Sequence, residues 1–416
     1  MLSIERCRKG GAGIVEHYPV ARAGIDVLTE SVMTSSDGSG STTRALACRA
    51  LLVSLYVLVA AASFCGFFAK YALRDDSAHD ALPLMLDATA DRPYVYRQLV
   101  PYAANLAEKA LPAQVADRLI AHLQQDYPKH NWLANTFARA TDASNPRYAL
   151  RYHLVYFMDF AALLAGMLML RAVCLELTGK PAAAALAPLA FALAMPAGNL
   201  WDFPELFFMA LAVWFAARGK GIWLILLTPL ATLNKESFLF FAVCLYPFLR
   251  ERVSLRHALA VVGACVLAAG VVNVIMKLRY AGNPGDLAQF NLMTNLRFLA
   301  NPRNYLLSDW TYGILLPKGF NIVILFVLFT IVRTGWKRLP GAARQHALIA
   351  LAINVPLYLL FGWGDEVRAL SMLYVTAALL LCEGIAVYME RAPRGAPALA
   401  MPARHESQAS PSMSPR

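Results

Sequence analysis

Charge is what this sequence has least of. Asp, Glu, Lys and Arg together make up 16% of its 416 residues, whereas 58% are hydrophobic. A soluble domain carries about 25% charged residues, so the scarcity excludes an ordinary water-soluble fold. It points to an all-α, polytopic membrane bundle whose spanning helices set the architecture. Soluble-enzyme signatures are missing too. There is no Walker loop, GxGxxG, HExxH or GxSxG, which argues against nucleotide-driven chemistry on the cytoplasmic side. The seven cysteines (Cys7, Cys48, Cys65, Cys174, Cys244, Cys265 and Cys382) include no CxxC pair. Neither a disulfide framework nor a zinc site is indicated.

The net charge is +11, but the cations sit just outside apolar segments rather than along one stripe with interleaved aromatics. That is the positive-inside pattern of a membrane protein, and no nucleic-acid partner is expected. Residues 1–44 are polar and read as a disordered cytoplasmic arm or an over-extended start, with Met33 the alternative first residue. Ala50 to Ala69 has the length of a full span and reads as a retained anchor. The Pro/Ser/Ala-rich residues 391–416 read as a disordered cytoplasmic tail.

Between them, residues 45–390 form the transmembrane domain, with helices expected over 46–72, 149–176, 181–199, 201–218, 221–233, 236–250, 256–277, 312–334, 344–362 and 367–389. That makes about nine to ten spans. Positive flanks at Arg44, Lys180, Arg218, Lys220, Arg250, Arg333 and Arg391 put both termini in the cytoplasm. Gly221 to Leu249 must enter and leave on that side within 29 residues, so it is a hairpin of short or tilted helices with Asn234-Lys235-Glu236 near its outer tip. Extracytoplasmic loops follow over about 74–148 and 279–311; the first holds amphipathic stretches such as "LVPYAANLAEKAL", which suit juxtamembrane helices, and the second places Trp310 and Tyr312 at an interface.

The polar residues hardest to explain fall on the outer side. Asp75 and Asp76 are solvated charges at a helix exit, the commoner case, or they supply a general base, one carboxylate taking a proton while its neighbour orients an acceptor or holds a divalent metal. No metal-ligand set stands out and no cofactor is demanded. Arg97, in "DRPYVYRQLVP", either snorkels to lipid headgroups or binds phosphate with its planar guanidinium. Lys235 either neutralises a lipid phosphate or pairs internally with Glu236 or Asp202. Asp202 and Glu205 open a helix, where carboxylates favour the dipole and Asn199 could cap. Asp365, Glu366 and Arg368 sit likewise before the last helix, Arg368 adding positive charge beside Lys235. Asp159, within the second helix, suits internal pairing.

In this order of motifs, "DDSAHDALPLMLDATADRPYVYRQLVP" followed by "LLTPLATLNKESFLFF", the chain resembles GT-C type membrane glycosyltransferases that use polyprenyl-phosphate sugars. The resemblance spans about residues 46–250. It departs from the family in having Asp-Asp for Asp-Glu, Asn234 before the lysine, and no large carboxy-terminal soluble domain. "YRQLVP", "DFPELFF", "ATLNKES" and "GDEVR" also resemble a group of bacterial inner-membrane proteins, which implies that location. The first resemblance implies transfer of a sugar from a polyprenyl-phosphate donor to an envelope glycan, glycolipid or protein. Asp75 or Asp76 would be the base, and Lys235, Arg97 and Arg368 would hold the departing lipid phosphate, with Asp202, Glu205, Asn234, Glu236, Asp365 and Glu366 in support. The partners would be membrane lipids and the lipid-linked sugar. A transporter or flippase for a lipid-linked precursor is the alternative; it needs polar residues through the whole depth of the bundle, whereas here they gather at one face, apart from Asp159 and Asn273.

Overall fold

A computed structural model describes residues 40–70, 73, 75–126, 129–311 and 314–391. The arm before residue 40, the tail after residue 391 and Tyr312 lie outside the described residues.

Among the described residues the regular structure is helical apart from one small hairpin. The first helix, α1 (Gly40–Lys70), shows why it stands at the edge: Tyr56, Ala60, Phe64 and Phe68 recur every four residues and are buried, while Leu51 and Leu58 face outward. Four short helices follow, namely α2 (Leu82–Leu86), α3 (Leu99–Ala110), α4 (Ala113–Gln124) and α5 (Trp132–Thr136). In α3, Val100, Pro101 and Ala104 pack inward while Tyr102 and Leu106 are exposed, an amphipathic division. The long α6 (Ala149–Thr178) then runs through the bundle to α7 (Pro181–Ala194). That helix stops short of residue 199 because Pro196 drives Met195 out of the helical region.

Helix α8 (Asp202–Ala217) is buried on nearly every side, packed chiefly against α6 and α9 (Gly221–Asn234), and forms the middle of the core. The return limb of the hairpin is two pieces, α10 (Phe238–Cys244) and α11 (Tyr246–Arg252), where one helix over 236–250 was expected. Pro247 lacks the N–H that would carry the ladder across Leu245. At 14 residues α9 rises about 21 Å, less than the hydrocarbon thickness of a bilayer, so the hairpin is short.

Next come α12 (Leu255–Arg279) and α13 (Leu292–Ala300), then the strands β1 (Ser308–Thr311) and β2 (Ile314–Pro317), paired antiparallel with Trp310 opposite Leu315. Residues 314–317 are therefore strand where helix was expected. Pro317 and the left-handed Gly319 delay the start of α14 (Ile322–Gly335) until Asn321 caps it. The last helices are α15 (Gly341–Phe361) and α16 (Tyr374–Arg391), with a 3-10 turn over Val367–Leu373 between them.

Among the described residues five helices have the length and apolarity to cross a membrane: Leu46–Phe68, Ala149–Thr178, Leu255–Arg279, Gly341–Phe361 and Val367–Arg391. At one end of the bundle Lys180 pairs with Glu383, and Arg218 and Arg252 meet Glu176. The opposite end carries the hairpin tip and the long loops. There the two loops are tied together: Asn283 donates to the carbonyls of Ala88 and Ala90, and Arg92 bonds Pro284 and Gly285. Gly285 is required, since its φ is +85° and a Cβ would lie 2.5 Å from the Arg92 carbonyl oxygen.

Candidate functional site

The hairpin tip supplies the first group. Helix α9 ends at Asn234, buried, whose amide donates to the Trp201 carbonyl at 2.9 Å and ties the tip to the start of α8. Lys235 follows in extended backbone and sets its ammonium 2.6 Å from Glu205 Oε2 and 3.8 Å from Asp202 Oδ1. Glu205 also accepts from the Ser371 hydroxyl at 2.7 Å. Asp202 turns its other oxygen back to the N–H groups of Gly198 and Asn199, at 2.7 and 2.9 Å, and so closes the turn before α8. Both carboxylates are buried, so the lysine is their counter-charge.

Glu236, one residue on, faces a different cation. Arg97 grips it through two parallel bonds of 2.8 and 3.1 Å, the bidentate form that a guanidinium makes with a carboxylate. The Arg97 guanidinium also lies 4.5 Å from the Trp201 ring centre and 5.7 Å from that of Tyr94. Burial alone would lower the Arg97 pKa and raise that of Glu236, but the attraction between them prevails, raising the first and holding the second down to about 2. Arg368 completes the set, 2.8 Å from Glu366 and 3.6 Å from Asp202. Gly198 gives it room, since a Cβ there would sit 2.9 Å from the Arg368 side chain.

Arg97, Lys235 and Arg368 thus come from three distant segments to line one cavity of about 570 Å³. Its polar lining includes Glu236, Ser237, Glu366 and Ser371, and its apolar lining includes Phe240, Leu287, Phe361 and Trp363. Lys277 stands at the rim, exposed and without an ion pair among the described residues. A second cavity of about 140 Å³ adjoins, lined by Ser77, Asp80, Asn199, Trp201, Asn234 and apolar neighbours. Arg97 lines both and stands between them. The Tyr94 hydroxyl is raised by burial and by the nearby Asp80 carboxylate, against the pull of Arg97, so Asp80 sits within electrostatic reach of the larger cavity.

The expected base pair lies elsewhere. Asp75 lines neither cavity: its carboxylate accepts from the Tyr152 hydroxyl at 2.5 Å, the Asp142 N–H at 2.7 Å and the Thr141 hydroxyl at 3.4 Å, joining the end of α1 to α6. Burial pushes its pKa up to about 6, while those hydrogen bonds pull against it. Asp76 is exposed and also lines neither cavity. Asp365 turns away to Lys318 at 2.8 Å. Lys235 pairs with Glu205 first, a partner not foreseen, while Glu236 goes to Arg97. Asp159, expected to pair internally, is fully buried, and among the described residues neither of its oxygens has a hydrogen-bond partner.

Trp201, Ser371, Asp80 and Lys277 were not singled out from sequence. Ser371 is one hydroxyl in an apolar run, and Asp80 is one carboxylate in an acidic loop. Trp201, beside Asp202 in "NLWDFPE", offered a local signal, because an indole next to a charge suits stacking on a cation.

Among the described residues no group of three or more His, Cys, Asp or Glu side chains is arranged to hold a metal ion. In comparison with known proteins, no family model, curated relative or solved structure matches this chain. Its chemistry is therefore argued from its own residues.

Proposed function

We propose that this chain is a membrane glycosyltransferase that takes a sugar from a polyprenyl-phosphate donor at the face carrying the hairpin tip, the face that the positive flanks assign to the outside. One observation carries the reading: Arg97, Lys235 and Arg368 line a single cavity that apolar side chains such as Phe240, Leu287, Phe361 and Trp363 also line. A lipid-linked phosphate has the same two characters, an anionic head and a hydrocarbon tail. Clustered cations would stabilise the negative charge that gathers on the phosphate as the sugar leaves. Charged groups at the two ends of the bundle, with Asp159 buried between them, accord better with a site at one face than with a path through the depth.

The cations are already compensated. Asp202 and Glu205 are buried and stay with Lys235, whereas Glu236 and Glu366 keep 32% and 34% of their side chains exposed. A phosphate would therefore displace Glu236 from Arg97 and Glu366 from Arg368, and Lys277 would add charge at the rim. Removing a displaced carboxylate should then strengthen binding. With the full chain in nanodiscs, a fluorescent polyprenyl phosphate should bind Glu236→Gln about tenfold more tightly than the native protein, a change of about 1.4 kcal/mol, and Arg368→Ala more weakly. Weaker binding by Glu236→Gln would remove Arg97 from the phosphate site. Movement of the lipid between leaflets without release of the sugar would favour the flippase reading.

A further inference from the structure

The smaller cavity has chemistry that the phosphate site leaves unused. At about 140 Å³ it is close to the ~150 Å³ that holds one benzene in an engineered protein cavity, so it takes a group of about one ring. One side is apolar, with Leu73, Leu82 and Met85; the other carries Ser77, Asp80 and Asn199. Trp201, 4% exposed, lines it and keeps its indole N–H without a partner, a buried donor that a hydroxylic ligand would satisfy.

Asp80 differs from the carboxylates around it. Glu236 and Glu366 line the phosphate cavity rather than the smaller one, while Asp87 pairs with Arg147 and Asp91 with His79, and neither lines the smaller cavity. Asp80 is thus the carboxylate placed to accept a hydrogen bond from a hydroxyl bound in the smaller cavity. Asp80 has one oxygen fixed by the Ser77 hydroxyl, and its other oxygen makes no hydrogen bond among the described residues. It is half-buried, oriented, and open to the cavity that shares Arg97 with the phosphate site.

We propose that the smaller cavity receives the hydroxyl-bearing group of the acceptor and that Asp80 is the catalytic residue that deprotonates it. This rests on the transferase reading given above. The carboxylate takes the hydroxyl proton as the acceptor oxygen forms its bond to the anomeric carbon. The bond from that carbon to the phosphate oxygen breaks, and its electron pair leaves on the phosphate beside Arg97. Asp80 afterwards returns the proton to water.

The test uses the full chain in nanodiscs with a radiolabelled polyprenyl-phosphate hexose, glycerol as a small surrogate acceptor, and water as the competing one. Native protein should release hexosyl glycerol and free hexose. Asp80→Asn should do so about 10²–10⁴-fold more slowly, the usual range for loss of a general base, with unchanged binding of a fluorescent polyprenyl phosphate, and Asp80→Glu should recover part of the rate. Transfer by Asp80→Asn at the native rate overturns the assignment and leaves the transferase reading standing. Loss of donor binding in both variants marks Asp80 as structural and overturns it as well. Native protein that binds the donor but never consumes it, or does not bind it, overturns the transferase reading and this inference together.

Discussion

Lys235 holds the charge balance of the site's interior. Without its ammonium, Glu205, with 3% of its side chain exposed, would lose its cation, and Asp202 would keep only Arg368 at 3.6 Å; breaking a buried pair in this way costs about 3–5 kcal/mol. Lys235→Ala should therefore lower the thermal unfolding midpoint, and Lys235→Met combined with Glu205→Gln should recover most of the loss; equal midpoints for Lys235→Ala and the native protein would refute the pairing. Asp75 makes a prediction of the opposite kind. Its pKa rises from 3.8 to about 6 in the fold, so between those values the folded state binds more protons than the unfolded one. Its contribution to stability then falls as pH rises from about 4 to 6 and stays low above that. Melting curves across this range should show a decline in the native protein that Asp75→Asn lacks. At this scale Lys235, Arg97 and Arg368 were legible in the sequence because a charge inside or beside an apolar run is a local anomaly. Their partners were legible only in part: Asp202 was named for Lys235 and lies 3.8 Å from it, but Glu205 lies 30 residues from Lys235 and Glu236 lies 139 from Arg97, and nothing local says that these carboxylates meet these cations.

Among the elements, α13 secures the loop that carries Glu366 and Arg368. Its buried Asn295 donates to the carbonyls of Tyr358, Leu359 and Gly362 at 2.9–3.1 Å and accepts from the Gly364 N–H at 2.8 Å. One amide thus closes the end of α15 and starts the next turn, satisfying carbonyls that the helix leaves unpaired. Asn295→Leu should cost about 1–3 kcal/mol for each buried group left unmatched, and hydrogen exchange should rise over residues 362–368 without a matching rise in α8. An unchanged exchange pattern would refute the role. The hairpin of α9 with α10 and α11 was legible, since 29 residues between positive flanks allow nothing longer than two short limbs. The β1–β2 hairpin was not. "YGILLP" is apolar and opens the span expected over 312–334, and only pairing across the turn, with Trp310 against Leu315, selects strand.

For the whole molecule, the two ends differ in kind: one gathers Lys180, Arg218 and Arg252 with Glu176 and Glu383, and the other holds the cavities. If the first faces the cytoplasm, Arg344→Cys, at the start of α15, should resist a membrane-impermeant maleimide added outside intact cells, whereas Lys109→Cys, exposed at the end of α3, should react, with the native protein as the blank. The reverse labelling would invert the molecule and move the site to the cytoplasmic side. The sequence by itself determined the apolar helices and the short hairpin. Those depend on neighbours within a few residues, on the length needed to cross hydrocarbon, and on each helix satisfying its own backbone. Only the tertiary structure decided that Asp75 is a tie between α1 and α6, that Asp80 faces a cavity, and that Arg97 stands between two of them. Those facts depend on how segments 77 to 166 residues apart pack together, and the energy of a charge is set by what packing places around it.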